Sequence, residues 1–329
     1  AKVLRRLDAE DPLAGRLTRA NALVTSAHTM AGTATTTARR TAGLREAADL
    51  RLGDHICWTY SSDEERRTVL TAFVAEGLQA GQRIAHIAPR GEEMRLVEYL
   101  GECGVDSAAL IDEGRLVLGS AEKAYYPNGA FDPEESLLGF RAMAEQTVAE
   151  GYTGLRVAGE NGWILADWLH RATWPGYEVR VDRIIAGLPL IGMCSFDLRE
   201  CGEEIVELMD AVHPVRLGDS RITSAFHLHS NRDAGVVIQG QLDLAGSDTV
   251  ESLLRALAGE EAINRIDLSG LSFADVQGMR AIAAGARAIA KQSGVVRLED
   301  PPTAFTRAWG LLRLDEAVPA ELVASGSRE

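Results

Sequence analysis

The chain is poor in cysteine. Its 329 residues hold four, Cys57, Cys103, Cys194 and Cys201, and none sits in a CxxC pair. That excludes a disulfide framework and points to reduced thiols in a cytoplasm. No apolar run approaches the roughly 18 residues that span a bilayer, and no secretory signal with a cleavage site is apparent. Positive charge is also scarce. The net charge of −14 disfavours direct DNA binding in the absence of a concentrated basic patch. A GK[ST] phosphate loop is missing, which argues against ATP-driven chemistry.

What is present is organised around Gly53–Glu65, GDHICWTYSSDEE. It predicts a short apolar strand over His55–Tyr60, a polar turn at Ser61 and Ser62, and a helix from about Asp63. Ser62 followed by Glu65 is a helix-start pattern. In an open α/β sheet such a strand-to-helix turn is where ligands sit. Asp63, Glu64 and Glu65 suit the helix dipole but repel a phosphate. The stretch reads as ligand-binding architecture without nucleotide chemistry.

Residues 1–48 stand apart, with eight basic and four acidic residues and a net charge of +4. Leu13 to Met30 recur at helical spacing, and Thr33–Thr41 lacks large apolar residues, predicting a flexible piece. From Gly53 strands and helices alternate. Strands are expected at Arg83–Ala88, Arg115–Leu118, Leu155–Ala158 and, as the last of this region, Leu190–Ser195. Helices are expected at Glu64–Ala80, Glu92–Gly101, Glu134–Glu150, Leu165–Trp174, Val179–Gly187 and Glu203–Val212. This rhythm predicts a mostly parallel sheet covered on both faces. A second region from about Ser224 predicts strands at Phe226–Ser230, Gly235–Gly240, Arg265–Leu268 and Val295–Leu298. Its helices are expected at Ser247–Ala258, Met279–Gln292 and Thr303–Trp309, with a short edge at Leu312–Val318. That is a small α/β layer of about 100 residues, an ordinary domain size.

Two family resemblances rest on these residues. Gly53-Asp54-His55-Ile56-Cys57 with Tyr60, Gly77-Leu78 with Gly81, Phe131-Asp132-Pro133, and Leu155-Arg156-Val157 with Glu160 and Trp163 make residues 49–217 resemble the MEDS, DcmR-like sensory family. The resemblance implies a degenerate RecA-like fold that senses a small, hydrocarbon-derived molecule. Gly240-Gln241-Leu242-Asp243 and Asp267–Gly278 make residues 218–329 resemble a STAS domain of the anti-sigma factor antagonist type. In that family the serine before the glycine takes a phosphoryl group from an anti-sigma kinase. Here Gln277 holds that position and has no hydroxyl, so the resemblance implies partner binding without that control; Ser269 or Ser272 are alternative acceptors.

The sequence therefore predicts an α/β chain in three parts. These are a basic arm (1–48), a three-layer, degenerate RecA-like sensory domain (49–217) and a small STAS-like domain (218–329). The ligand-binding candidates are His55, Cys57, Trp58, Tyr60, Ser61, Tyr125, Glu160 and Trp163. His55 and Cys57 share one strand face, and two such donors are too few for a metal site. No metal and no cofactor are expected. The partner-binding candidates are Asp243, Ser272, Asp275, Gln277 and Gly278. The expected role is a cytoplasmic, non-enzymatic regulator of transcription that senses a small molecule and docks an anti-sigma factor or serine kinase. A hydrolase or nucleotide-dependent enzyme using Glu160 and a non-catalytic scaffold stand as alternatives. The sequence allows an oligomer.

Overall fold

The computed structural model describes residues 40–126, 128–162, 168–218, 221–231, 235–259 and 263–324. The described chain forms two compact units. Among the described residues, one takes 40–162 with 187–202 and 215–218, and the other takes 168–186, 203–214 and those from 221 on.

In chain order the elements of the first unit are β1 (Ala42–Leu44), a 3-10 turn at Ala47–Asp49, β2 (His55–Tyr60), α1 (Asp63–Gln79), β3 (Arg83–Ala88), α2 (Glu93–Glu102), α3 (Ser107–Asp112), β4 (Leu116–Ser120), α4 (Ala121–Tyr125), α5 (Pro133–Ala149) and β5 (Leu155–Glu160). Helix α6 (Trp168–Gly187) follows, then β6 (Leu190–Asp197), α7 (Glu203–Asp210) and β7 (Val215–Leu217); α6 and α7 lie in the second unit. The seven strands pair in the order β1-β7-β2-β6-β5-β3-β4, every pair parallel. Strands β2, β3, β5 and β6 are buried along their whole length, as a sheet covered on both faces requires. The α/β class and the parallel sheet agree with the sequence expectation.

One face carries a continuous core. Ile56, Trp58 and Tyr60 of β2, Ile84 of β3, Leu116 and Leu118 of β4, Ala158 of β5 and Met193 of β6 pack against Leu70, Phe73 and Val74 of α1 and Leu96 and Leu100 of α2. Helix α1 starts as its sequence dictates: the Ser62 side chain accepts a hydrogen bond from the Glu65 N–H. Its Gly77 is required by packing, because a β-carbon there would lie 2.4 Å from Ile84 Cδ1 and 2.9 Å from Arg156 Cδ. Arg156 crosses beneath it, bonded to Gln82 Oε1 (2.7 Å) and the Phe73 carbonyl (3.1 Å), with its guanidinium over the Phe73 ring. Burial pushes Arg156 down to about 10. Asp54, buried, holds Arg40 through two hydrogen bonds of 2.5 and 3.1 Å, tying the stretch before β1 to the start of β2.

The second unit adds β8 (Phe226–Ser230), β9 (Gly235–Leu242), α8 (Leu244–Leu257), β10 (Arg265–Asp267), β11 (Leu271–Ala274), α9 (Val276–Ser293), β12 (Val296–Glu299), α10 (Thr303–Leu311), α11 (Leu314–Ala317) and β13 (Ala320–Val323). Its sheet is parallel except for the β8–β9 pair. Val179 of α6 and Ala211 and Val212 after α7 belong to the same core as Leu228, Ile238, Leu254, Ile266 and Ile282.

Three local expectations change. Leu190–Ser195 is not the last strand of its sheet: β7 follows, and β1 at Ala42–Leu44 pairs with it. The two helices expected around Tyr177 are one helix with Pro175 inside it. Proline forfeits one backbone bond, and buried Trp174, Tyr177 and Val179, with the Trp174 Nε1 bond to Glu178 Oε1 (2.6 Å), hold the helix across it. Leu312–Val318 is not an edge strand. Arg313 takes a left-handed φ of 55°, α11 follows, and the edge strand is β13. Strand β11 and helices α3 and α4 are short and have no periodicity long enough to read. The predicted helix before residue 31, Thr33–Arg39 of the predicted flexible piece and 165–167 lie outside the described residues.

Candidate functional site

Because all seven strands run parallel, the turns after β2, β3, β4 and β5 lie at one rim of the sheet. The connection from β2 to α1 is only Ser61 and Ser62. A phosphate loop of GxxxxGK[ST] type has no room in it. Both residues serve the helix start. Ser61 donates from its N–H (2.9 Å) and hydroxyl (3.3 Å) to Glu65, and Ser62 caps the helix.

Glu160 ends β5 and is 7% exposed. One carboxylate oxygen accepts from Arg66 Nη2 of α1 at 2.5 Å, and the other lies 3.0 Å from His86 Nε2 of β3. Arg66 and His86 are themselves buried. Burial favours the protonated acid, but His86 and Arg66 outweigh it and hold Glu160 below the usual carboxylate range. Burial likewise opposes the Arg66 charge, and Glu160 more than offsets it. Tyr60 lies beside them, 5.9 Å from the Arg66 guanidinium; burial first, then Glu160, pushes its phenol up.

From this centre charges alternate outward. Arg66 reaches Glu92 (3.3 Å), which holds Arg95 (2.9 Å); Asp63 lies 4.0 Å from Arg95 and 2.8 Å from Arg199, which clamps Asp197. In this series four carboxylates face three guanidiniums. Two buried polar atoms at the centre, Arg66 Nε and His86 Nδ1, have no hydrogen-bond partner among the described residues. Leaving such a group unpaired costs about 1–3 kcal/mol.

The predicted ligand residues divide by strand parity. Trp58 and Tyr60 face the core shared with α1 and α2, their rings 5.0 Å apart. Glu160, in step with Ala158, shares their face. His55 and Cys57 point to the opposite face, where His55 Nε2 lies 3.7 Å from Cys194 Sγ. Tyr125, after β4, packs on Phe140 of α5 and donates to Asn161 Oδ1 at 3.4 Å. Trp163 lies outside the described residues. Hence Tyr60 and Glu160 come together at the rim with Trp58 beneath them, Ser61 ends at the same rim but serves the helix start, His55 and Cys57 face away, and Tyr125 reaches Asn161, the residue after Glu160. Arg66, His86, Glu92, Arg95, Asp197 and Arg199 were not legible as site residues. Only Arg66, buried in a helix's first turns, carries a signal, since a cation there opposes the dipole.

In the second unit Asp243 and Asp275 cap α8 and α9. Asp243 accepts from the Ala245 N–H (3.0 Å), and Asp275 from the Gly278 N–H (2.8 Å) and the Leu244 N–H (3.0 Å). The Asp275–Leu244 bond draws the two helix starts together. Ser272 donates to the Gly240 carbonyl (2.8 Å). Gly278 is buried, and a β-carbon there would lie 2.5 Å from the Leu242 carbonyl oxygen, so its role is packing. Gln277 is exposed. Around it stand three exposed apolar side chains the sequence reading missed: Leu244 (67%), Phe273 (51%) and Val276 (45%).

Comparison with known proteins finds two family models along the chain. Residues 54–214 match the family model described as MEDS, the MEthanogen/methylotroph, DcmR Sensory domain, and residues 227–324 match that described as Mlab, STAS domain. The chain thus carries a MEDS domain followed by a STAS domain. No curated protein matches it. The anti-sigma factor antagonist SpoIIAA in its unphosphorylated form aligns at 22% identity and a TM-score of 0.23, over 26% of this chain and 83% of its own. The Bacillus cell fate determinant SpoIIAA in the phosphorylated form aligns at 20% and 0.25, over 31% and 94%. A DUF1998 helicase, MrfA, bound to DNA and AMPPNP aligns at 11% and 0.33, over 93% and 48%. Likenesses of this strength add nothing to the family matches. The MEDS match includes α6 and α7, which belong to the second compact unit.

Proposed function

We propose that the chain is a cytoplasmic signalling regulator of the anti-sigma antagonist type. Its MEDS domain binds a small molecule at the Arg66–Glu160–His86 centre, and its STAS domain docks an anti-sigma factor or serine kinase and so affects transcription. The observation that carries the sensor half is the buried, charge-balanced centre with Arg66 Nε and His86 Nδ1 left unpartnered. A small polar molecule that pairs them relieves the penalty of leaving them bare. A phosphate ligand is disfavoured by the two-residue turn. Catalysis by Glu160 is disfavoured because both its oxygens are engaged and its carboxyl is held low, making it a weak base.

The docking half rests on the apolar trio Leu244, Phe273 and Val276 around exposed Gln277. Apolar side chains rimmed by polar groups mark interaction sites. Among the described residues no helix is long and apolar enough to cross a membrane, which is compatible with the cytoplasmic reading. The test is binding of an anti-sigma-type serine kinase to the full chain and to Leu244→Asp with Phe273→Asp. The reading expects affinity to fall at least about a hundredfold, as for paired interface anchors. Unchanged affinity removes this face from the account.

A further inference from the structure

Strand β8 pairs with β9 alone among the described residues. A strand with a bare side invites pairing with another chain. Here that side is occupied by the chain itself. The Leu228 N–H donates to the carbonyl of Ala211, just after α7, at 2.7 Å. The Ser230 N–H donates to Asp182 Oδ2 of α6 at 2.6 Å. Asp210, the last residue of α7, accepts from the Ser224 N–H at 2.8 Å and lies 3.3 Å from His227 Nε2. Asp182 and Asp210 are 0% and 1% exposed, and such buried carboxylates persist only where they are bonded. Helix α6 also lies tightly on α8: a β-carbon at Gly176 would come within 2.9 Å of Ala256 Cβ.

The clamp is wired into the other sheet by the chain. Between α6 and α7 runs β6, the strand between β2 and β5, whose Asp197 belongs to the charged rim. The chain passes between the two units between 162 and 168, at 186/187, 202/203 and 214/215, and between 218 and 221. No single linker separates sensor from effector.

We infer that α6 and α7 are the transmission element of this protein, an edge clamp on the STAS sheet whose hold on β8 follows the state of the rim. The clamp stands on the packing above, and its regulation rests on the sensor reading. The test is hydrogen–deuterium exchange on the full chain. Asp182→Ala with Asp210→Ala is expected to speed exchange in the peptide spanning residues 224–231 by at least about tenfold, since two bonds to buried carboxylates are lost, with α9 unchanged. Unchanged protection of that peptide overturns the clamp. If the double variant fails to fold, Asp182→Asn, which keeps an acceptor, decides: a few-fold rise at 224–231 supports the clamp, and none overturns it. For the coupling, Glu160→Gln is compared with wild type. Changed exchange at 224–231 supports it. Changes confined to the rim segments 60–66 and 155–162 overturn the coupling and leave the sensor reading standing.

Discussion

At the residue scale the decisive feature is the partnership of Glu160. The strand ending in Glu160 was legible, and so was its place at a rim. Its partners were not, because Arg66 and His86 lie 94 and 74 positions away in sequence and meet it only through the order β2-β6-β5-β3. Glu160→Gln leaves buried Arg66 with only the part-exposed Glu92 as a charge partner, a loss approaching the about 3–5 kcal/mol of a broken buried pair. The pH dependence has a defined sign. The folded carboxyl titrates lower than the unfolded one, near about 4.3, so its stabilisation is complete above that pH and lost as pH falls through the folded value. Thermal melts at pH 7 and pH 3 are therefore expected to show a large gap between wild type and Glu160→Gln at pH 7 that narrows at pH 3. A gap independent of pH contradicts the ion-pair assignment.

Gln277 belongs to the same scale. Its side chain is exposed at the start of α9 and offers no hydroxyl. Gln277→Ser, incubated with ATP and a serine kinase of the anti-sigma type, is expected to take up phosphate at residue 277, and wild type is not. Intact-mass measurement reads the difference.

At the element scale, local chemistry carried much of the fold into the sequence. Ser62 with Glu65 fixed the start of α1, and the apolar run His55–Tyr60 fixed β2 to the residue. Most of what failed were features that only tertiary packing decides. Pro175 looks like a break but sits inside α6, because the buried side chains around it hold the helix. His55 and Cys57 group with Trp58 and Tyr60 as ligand candidates, although the two-residue period of a strand, a local rule legible without packing, sends the pairs to opposite faces. Leu244, Phe273 and Val276 read as core by their chemistry, and nothing local marks them as exposed. Gly77 gives a sharp test of packing. Replacing a mid-helix glycine by alanine ordinarily favours the helix by about 1 kcal/mol. Here the added carbon meets Ile84 and Arg156, so Gly77→Ala is expected to destabilise by about 1–3 kcal/mol. Chemical denaturation reads the sign, and a stabilised variant refutes the close approach.

At the scale of the whole molecule, the claim is that a bound small molecule sets the state of a docking domain. A ligand shifts such an equilibrium only by its difference in affinity for the two states. The alternating charges at the rim and the clamp on β8 supply two places where that difference can be read. The scaffold alternative predicts partner affinity indifferent to any ligand. The enzyme alternative predicts turnover abolished by Glu160→Gln.

The most direct measurement is native against denaturing mass spectrometry of the freshly purified full chain, beside Glu160→Gln shown to be folded. The account predicts a small-molecule mass on the wild type that leaves on denaturation and is missing from the variant. An identical spectrum for both proteins, whether bare or carrying the same mass, contradicts a ligand site at Glu160.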